Sequence, residues 1–218
     1  MTFYDMDEQK ALKGNRGFSG VKEASAEYAK KKPEGSCTRQ EYDALPEEQR
    51  TELIDGVFYD MASPTHLHQL ISGQIYRVLS DWISRNGGPC IAAYAPLDVY
   101  LDCDDKTVVQ PDLMIVCDRS RFQQGAVYGA PDMVVEILSE STWKKDAYTK
   151  LAKYARAGVK EYWMVDPAGK KVIVYDLERE EYPVIYGFDT AVPVRIWDGR
   201  CCVDFREIYE YVKFLYEQ

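Results

Sequence analysis

Histidine is almost missing from this chain, and no stretch of it is long and apolar. His66 and His68 are the whole histidine supply. The six cysteines, Cys37, Cys90, Cys103, Cys117, Cys201 and Cys202, contain no C-x-x-C pair and no zinc-like spacing to those histidines. Adjacent Cys201 and Cys202 cannot easily bridge each other, and Cys117 falls in an apolar strand where a small buried hydrophobe is usual. The expectation is a reduced, intracellular chain. No apolar run approaches membrane-spanning length and no signal-like apolar segment opens the sequence, so a cytoplasmic protein with no membrane partner is expected. Positive charge is also in deficit: 27 Lys and Arg stand against 36 Asp and Glu, a formal net charge of -9. That balance argues against a protein that coats nucleic acid non-specifically. It leaves a nuclease open, because a local basic rim can work on an acidic body.

What is present is enough for one well-cored domain of 218 residues. Tyrosine is abundant, 17 against 7 Phe, and serves partner surfaces and core packing equally well. Residues 1–36 mix Lys, Glu, Gly and Ser with little apolar periodicity and read as an N-terminal arm or solvated extension. Residues 37–218 read as the domain. Thr38 to Glu41 has the form of a capping box and opens a short helix that ends near Leu45-Pro46. Thr51 to Met61 reads as a hairpin turning at Asp55-Gly56. Leu67, Leu70, Ile71, Ile75, Val78, Leu79, Trp82 and Ile83 recur at helical spacing, marking a long amphipathic helix that stops before Gly87-Gly88. Strands are expected over Ile91–Leu101 and Val108–Cys117, with Pro111 placing the second at an edge, a bulge or its own beginning. Short strands over Lys171–Leu177, Tyr182–Phe188 and Val192–Trp197 and a final helix over Phe205–Tyr216 complete the chain. The pattern is a mixed α/β sheet flanked by helices.

The centre of the argument is residues 129–167, which read as strand, helix, strand. The run Met133 to Leu138 is apolar except for Glu136. An acid between Val135 and Ile137 is costly unless it is paired or holds a metal. Asp112 stands in the same way at the mouth of the Leu113–Val116 run. On the helix expected from Thr142 to Ala157, Asp146, Lys150 and Tyr154 follow at i, i+4 and i+8 and share one face. The strand–helix–strand crossover makes its two strands parallel. Two strand carboxylates with a lysine nearby suit metal-assisted phosphodiester cleavage. Mg²⁺ takes one or two carboxylates plus water and phosphate, and a main-chain carbonyl beside Glu136 would add a third ligand. The competing reading makes Asp112 a turn cap and Glu136 one half of an internal salt bridge with Lys150 or Lys153. Ser139 fits a turn or cap as well as a phosphate contact, and Tyr154 and Trp163 read as packing residues. His68 reads as a surface residue of the helix's first turn, or as an aid to proton transfer.

The run Glu52-Leu-Ile-Asp-Gly, the helix beginning near His68, Pro111-Asp112, Gly129-Ala-Pro-Asp with Val-Val-Glu136-Ile-Leu-Ser139, Asp146-x3-Lys150-x3-Tyr154 and Gly158-Val-x-Glu-Tyr-Trp163-x-Val-Asp-Pro resemble the Uma2 family of restriction-endonuclease-like proteins. That family is placed in the PD-(D/E)XK nuclease superfamily, and the resemblance covers residues 38–176. It implies a restriction-endonuclease-like core that cuts DNA with Mg²⁺, for which Mn²⁺ can substitute. Carried over, Asp112 and Glu136 are the metal-holding acids, Glu52 an additional upstream acid, and the catalytic set is Glu52, Asp112, Glu136 and Lys150. In the superfamily pattern the lysine stands two residues after the glutamate, where this chain has Leu138. Lys150 is the chosen substitute, with Lys144 and Lys153 as alternatives. Cutting both strands of DNA implies a homodimer. A catalytically inactive nucleic-acid- or protein-binding module on the same fold is the alternative.

Overall fold

A computed structural model describes residues 35–46, 49–101, 104–139, 149–179 and 181–217. The N-terminal arm, apart from residues 35 and 36, and the segment carrying Lys144 and Asp146 lie outside the described residues. The short helix α1 (Arg39–Asp43) carries the expected capping box between Thr38 and Glu41. Strands β1 (Thr51–Ile54) and β2 (Val57–Asp60) form the expected hairpin. Asp55 and Gly56 both take positive φ at its turn, and a side chain at Gly56 would press into the Gly35 carbonyl.

Helix α2 (His66–Asn86) buries Ile71, Ile75 and Leu79 on one stripe, as its periodicity requires. Strands β9 (Met133–Ile137) and β10 (Glu161–Asp166) are parallel, and α3 (Leu151–Ala157) lies in the connection between them. Gly158, at φ 92, ends α3. Strands β11 (Lys171–Asp176) and β12 (Val184–Gly187) continue that sheet antiparallel. A small ribbon of β13 (Ala191–Pro193) and β14 (Cys202–Asp204) precedes α4 (Phe205–Val212). Where the pattern suggests one strand through Val192 to Trp197, the chain instead leaves β13 and makes a 3-10 turn at Arg195–Trp197.

The two long central strands differ from expectation in an instructive way. Instead of one strand over residues 91–101 there are two, β3 (Ile91–Tyr94) and β4 (Val99–Tyr100). Instead of one over 108–117 there are β5 (Val108–Val109) and β6 (Leu113–Val116). The breaks fall at Pro96 and Pro111, which have no N–H to give to a ladder. The consequence is topological. β3 pairs with β6, β4 pairs with β5, and the doubled chain passes from one sheet into another. The first sheet runs β2-β1-β5-β4-β8-β7 and the second β12-β11-β10-β9-β6-β3. Strands β7 (Phe122–Gln123) and β8 (Ala126–Tyr128) follow a 3-10 turn at Arg119–Arg121.

The central strands of the second sheet, β6, β9 and β10, are buried on both faces, which is why β9 and β10 read as nearly continuous apolar runs. On one face Val135, Ile137, Trp163 and Val165 pack with α2 and α4. On the other Val134, Leu138, Tyr162 and Met164 pack with Tyr154 of α3 and with Ile54, Val99 and Val109 of the first sheet. Cys90 and Cys117 form a disulfide, whereas unpaired thiols are expected from their spacing. The pairing of Ile91 with Val116 puts positions 90 and 117 next along the β3–β6 ladder, a neighbourhood that only register creates.

Candidate active site at the seam of two sheets

Where the doubled strands cross from one sheet to the other, the acids meet. Glu52 comes from β1 of the first sheet and Glu136 from β9 of the second. Asp112 stands in the Pro111 break, immediately before β6. Leu113 pairs with Val135 across the β6–β9 ladder, so the same register carries Asp112 opposite Glu136. The carboxylate of Asp112 turns back on that ladder: its Oδ2 accepts the N–H of Ile137 at 2.7 Å. The same oxygen lies 3.0 Å from Nε2 of His68. Thr65 caps α2 by accepting the His68 N–H at 3.2 Å, which fixes the turn that aims the imidazole. Nδ1 of His68 is buried with no hydrogen-bond partner among the described residues.

A lysine ties the other two acids together. Nζ of Lys150 lies 2.7 Å from Oε1 of Glu52 and 2.8 Å from Oε1 of Glu136. Tyr154, four residues on and on the same helical face, donates its O–H to Glu136 Oε1 at 2.7 Å. Glu52 Oε1 also accepts the backbone N–H of Gln110 at 3.0 Å. Tyr154 is fully buried, and burial, reinforced by the Glu136 charge, pushes its phenol well above the ordinary range. It therefore stays a donor. Lys153 is committed elsewhere, to Asp104 at 2.7 Å and to Asp55. Burial works against its charge, but those two carboxylates prevail and raise it.

The site opens in one direction. The side chain of Glu52 is 0% exposed, Lys150 3% and Glu136 5%, while Asp112 is 17% and His68 15% exposed. Among the described residues no group of three or more His, Cys, Asp and Glu side chains is arranged to hold an ion alone. The donor chemistry still suits a hard cation: Asp112 and Glu136 offer carboxylate oxygen, no thiolate competes, and Mg²⁺ normally leaves several positions to water and phosphate. Both contacts of the Asp112 carboxylate among the described residues fall on Oδ2.

Of the residues singled out in the sequence, Glu52, Glu136 and Lys150 are in direct contact, and Asp112 sits opposite Glu136. Asp146 and Lys144 lie outside the described residues. Tyr154, read as packing, does pack, and its hydroxyl also belongs to the site. His68, read as a surface residue or proton-transfer aid, contacts Asp112. Gln110 gave no sequence signal beyond its place before Pro111-Asp112. The fully buried Glu161 is a useful contrast. Its carboxylate accepts the Trp163 indole N–H at 2.6 Å and the Ile196 N–H at 2.9 Å, anchoring the Arg195–Trp197 turn. A buried acid alone is not a catalytic signal; Glu161 is architecture.

Comparison with known proteins bears on the family and the fold. The model of the Uma2 family, described as "Putative restriction endonuclease", matches residues 39–193. An uncharacterized protein of Synechocystis sp. is 27% identical over 154 residues, which span 69% of this chain and 76% of that protein. A crystal structure described as a putative nuclease from Anabaena variabilis superposes with a TM-score of 0.67 at 21% identity, covering 80% of this chain and 98% of the other. At that identity the likeness speaks for the fold.

Proposed function

This chain belongs to the Uma2 family of restriction-endonuclease-like proteins, and from that premise we propose that it is a Mg²⁺-dependent endonuclease that hydrolyses phosphodiester bonds of DNA. One observation carries the reading. Lys150 reaches Glu136 from the following helix, and in this reading it stands in for the lysine absent at position 138. The same three-part set of Asp, Glu and Lys is thereby assembled from a different chain position.

In this reading Asp112 and Glu136 hold the ion, with Mn²⁺ able to substitute. When bound, Mg²⁺ supplies charge for the phosphoryl oxygens and makes water a better nucleophile at neutral pH. The protein's own part is positioning. Ile137 N–H and His68 fix the Asp112 carboxylate, while Tyr154 and Lys150 fix that of Glu136. Lys150 presents its side-chain nitrogen beside the place where negative charge grows, and Glu52 holds it in place. The surrounding apolar residues keep bulk water out of the deep end. A homodimer working in the cytoplasm belongs to the same proposal, since cutting both strands takes two such centres.

A second reading draws on a specific feature. The Glu52–Lys150–Glu136 bridge already pairs two buried acids with a cation, as a non-catalytic nucleic-acid- or protein-binding module on this fold would. Calorimetric titration of Mn²⁺ into wild type and Glu136→Ala, followed by incubation with supercoiled plasmid and Mg²⁺, separates the two. The endonuclease reading expects ion binding and nicking by wild type and neither by the variant. Nicking that persists in Glu136→Ala removes that residue from the mechanism, and absence of ion binding in both proteins favours the module.

A further inference from the structure

The burial gradient of the site says from which side a substrate arrives. Glu52, Lys150 and Glu136 are closed off, and only Asp112 and His68 reach solvent. On the strand beside Asp112 stands an exposed aromatic ring. Ala95 donates its N–H to the Asp112 carbonyl at 3.1 Å, and Tyr94 pairs with Leu113. Tyr94 thus stands next to the Asp112 position on β3, the edge strand of the second sheet, with its ring on the α2 face, the side from which His68 reaches the Asp112 carboxylate. It is 56% exposed, among the largest exposures of any apolar or aromatic residue described. It is also held rather than loose. Tyr76 of α2 meets it edge to face, with centroids 4.7 Å apart and planes at 73°. Helix α2 therefore contacts both, Asp112 through His68 and Tyr94 through Tyr76. Eight residues of helix separate those contacts, about 12 Å, a span of a few nucleotides along a strand.

We propose that Tyr94, braced by Tyr76, is a stacking platform for an unpaired nucleobase flanking the phosphate at Asp112, so that the substrate strand is single-stranded or locally opened there. The proposal rests on the nuclease reading for where the reacting phosphate lies. Its physical motive is affinity. A protein with a formal net charge of -9 gains little from non-specific attraction to phosphate, whereas stacking on a fixed ring is uncharged and indifferent to base identity. An edge-to-face partner leaves the ring's remaining face available, which a buried, sandwiched tyrosine would not.

The test is equilibrium binding, in EDTA so that nothing is cut, of a 2-aminopurine-labelled single-stranded oligonucleotide and of its blunt duplex. Wild type, Tyr94→Ala and Tyr94→Phe are compared, with melting curves checking that each is folded. Wild type is expected to quench the single-stranded probe. Tyr94→Ala should weaken that binding roughly tenfold or more, the range of one base on one ring, while Tyr94→Phe stays within about twofold. Duplex binding should change by less than about twofold in either variant. Failure of wild type to bind the single strand, equal affinity of Tyr94→Ala, or an equal loss on duplex would each overturn the proposal. Plasmid nicking by wild type, read separately with Mg²⁺, judges the nuclease reading. Nicking with an indifferent Tyr94→Ala sinks only the platform; absent nicking with a base-dependent loss sinks only the nuclease.

Discussion

Replacing Lys150 by methionine keeps most of the aliphatic side chain and removes its terminal amine, which makes it the cleanest perturbation of this site. In the native protein one ammonium lies 2.7 Å from Glu52 and 2.8 Å from Glu136, and all three side chains are at most 5% exposed. The change leaves two carboxylates close together with little water to solvate them. Deleting one member of a buried ion pair typically costs about 3 to 5 kcal/mol. For a domain of this size that corresponds to a fall in melting temperature of roughly 6 to 20 °C. The loss should be relieved in part by removing the stranded charge, so Lys150→Met with Glu52→Gln should melt above Lys150→Met alone. It should be relieved also by Mg²⁺ or Mn²⁺, because an ion bound by the native state stabilises it by mass action. Thermal melts of wild type and the two variants, each with EDTA and with 10 mM-scale divalent ion (roughly a hundredfold over a sub-millimolar Kd), make the measurement. A Lys150→Met protein that melts within about 2 °C of wild type in EDTA would refute the reasoning. It would show that the carboxylates find other compensation and that the bridge contributes little.

Tyr154→Phe deletes the hydroxyl that donates to Glu136 and nothing else, so it should cost about 1.5 to 3 kcal/mol, the worth of a hydrogen bond to a charged group. Urea unfolding reads that loss, and an unchanged midpoint would return Tyr154 to a packing role. Glu161 supplies a pH prediction. Burial raises its carboxyl above the ordinary value despite the N–H donors of the Arg195–Trp197 turn and Trp163. The folded state therefore holds that proton more tightly than the unfolded chain, so the group favours folding below its ordinary pKa. That contribution is lost as pH rises through the window between the ordinary and the raised value. Measured as a difference in unfolding free energy against Glu161→Gln, wild type should lose ground as pH climbs from about 4.5 (the ordinary value). A difference that stays flat with pH would show that Glu161 does not titrate differently in the two states.

Local chemistry was legible wherever one residue type forces one backbone. Asp55-Gly56 announced the β1–β2 turn, since both positions need positive φ. The 3.6-residue spacing from Leu67 to Ile83 announced α2. A charged residue inside an apolar run marked Glu136, because burying an acid is costly whatever the fold. Periodicity could not show that Pro96 and Pro111 break two strands at facing positions, because it reports alternation along a strand and not which sheet the strand joins. Nor could it choose among the lysines. Positions 150 and 153 are three apart on neighbouring faces of one helix, and a small rotation on docking exchanges their partners.

By itself, then, the sequence determined the β1–β2 hairpin, the long helix α2 and the acid inside an apolar run at Glu136. Each of these follows from covalent geometry, burial cost or local spacing. Only the tertiary structure decided that Glu52 on one sheet faces Glu136 on the other, with Lys150 between them. It likewise decided that Tyr154 and His68 contact the acids and that Tyr94 lies beside Asp112 across the β3–β6 ladder. Those relations join residues up to 98 positions apart, from Glu52 to Lys150. They exist only once a doubled strand crosses from one sheet to the next and a helix settles over the seam.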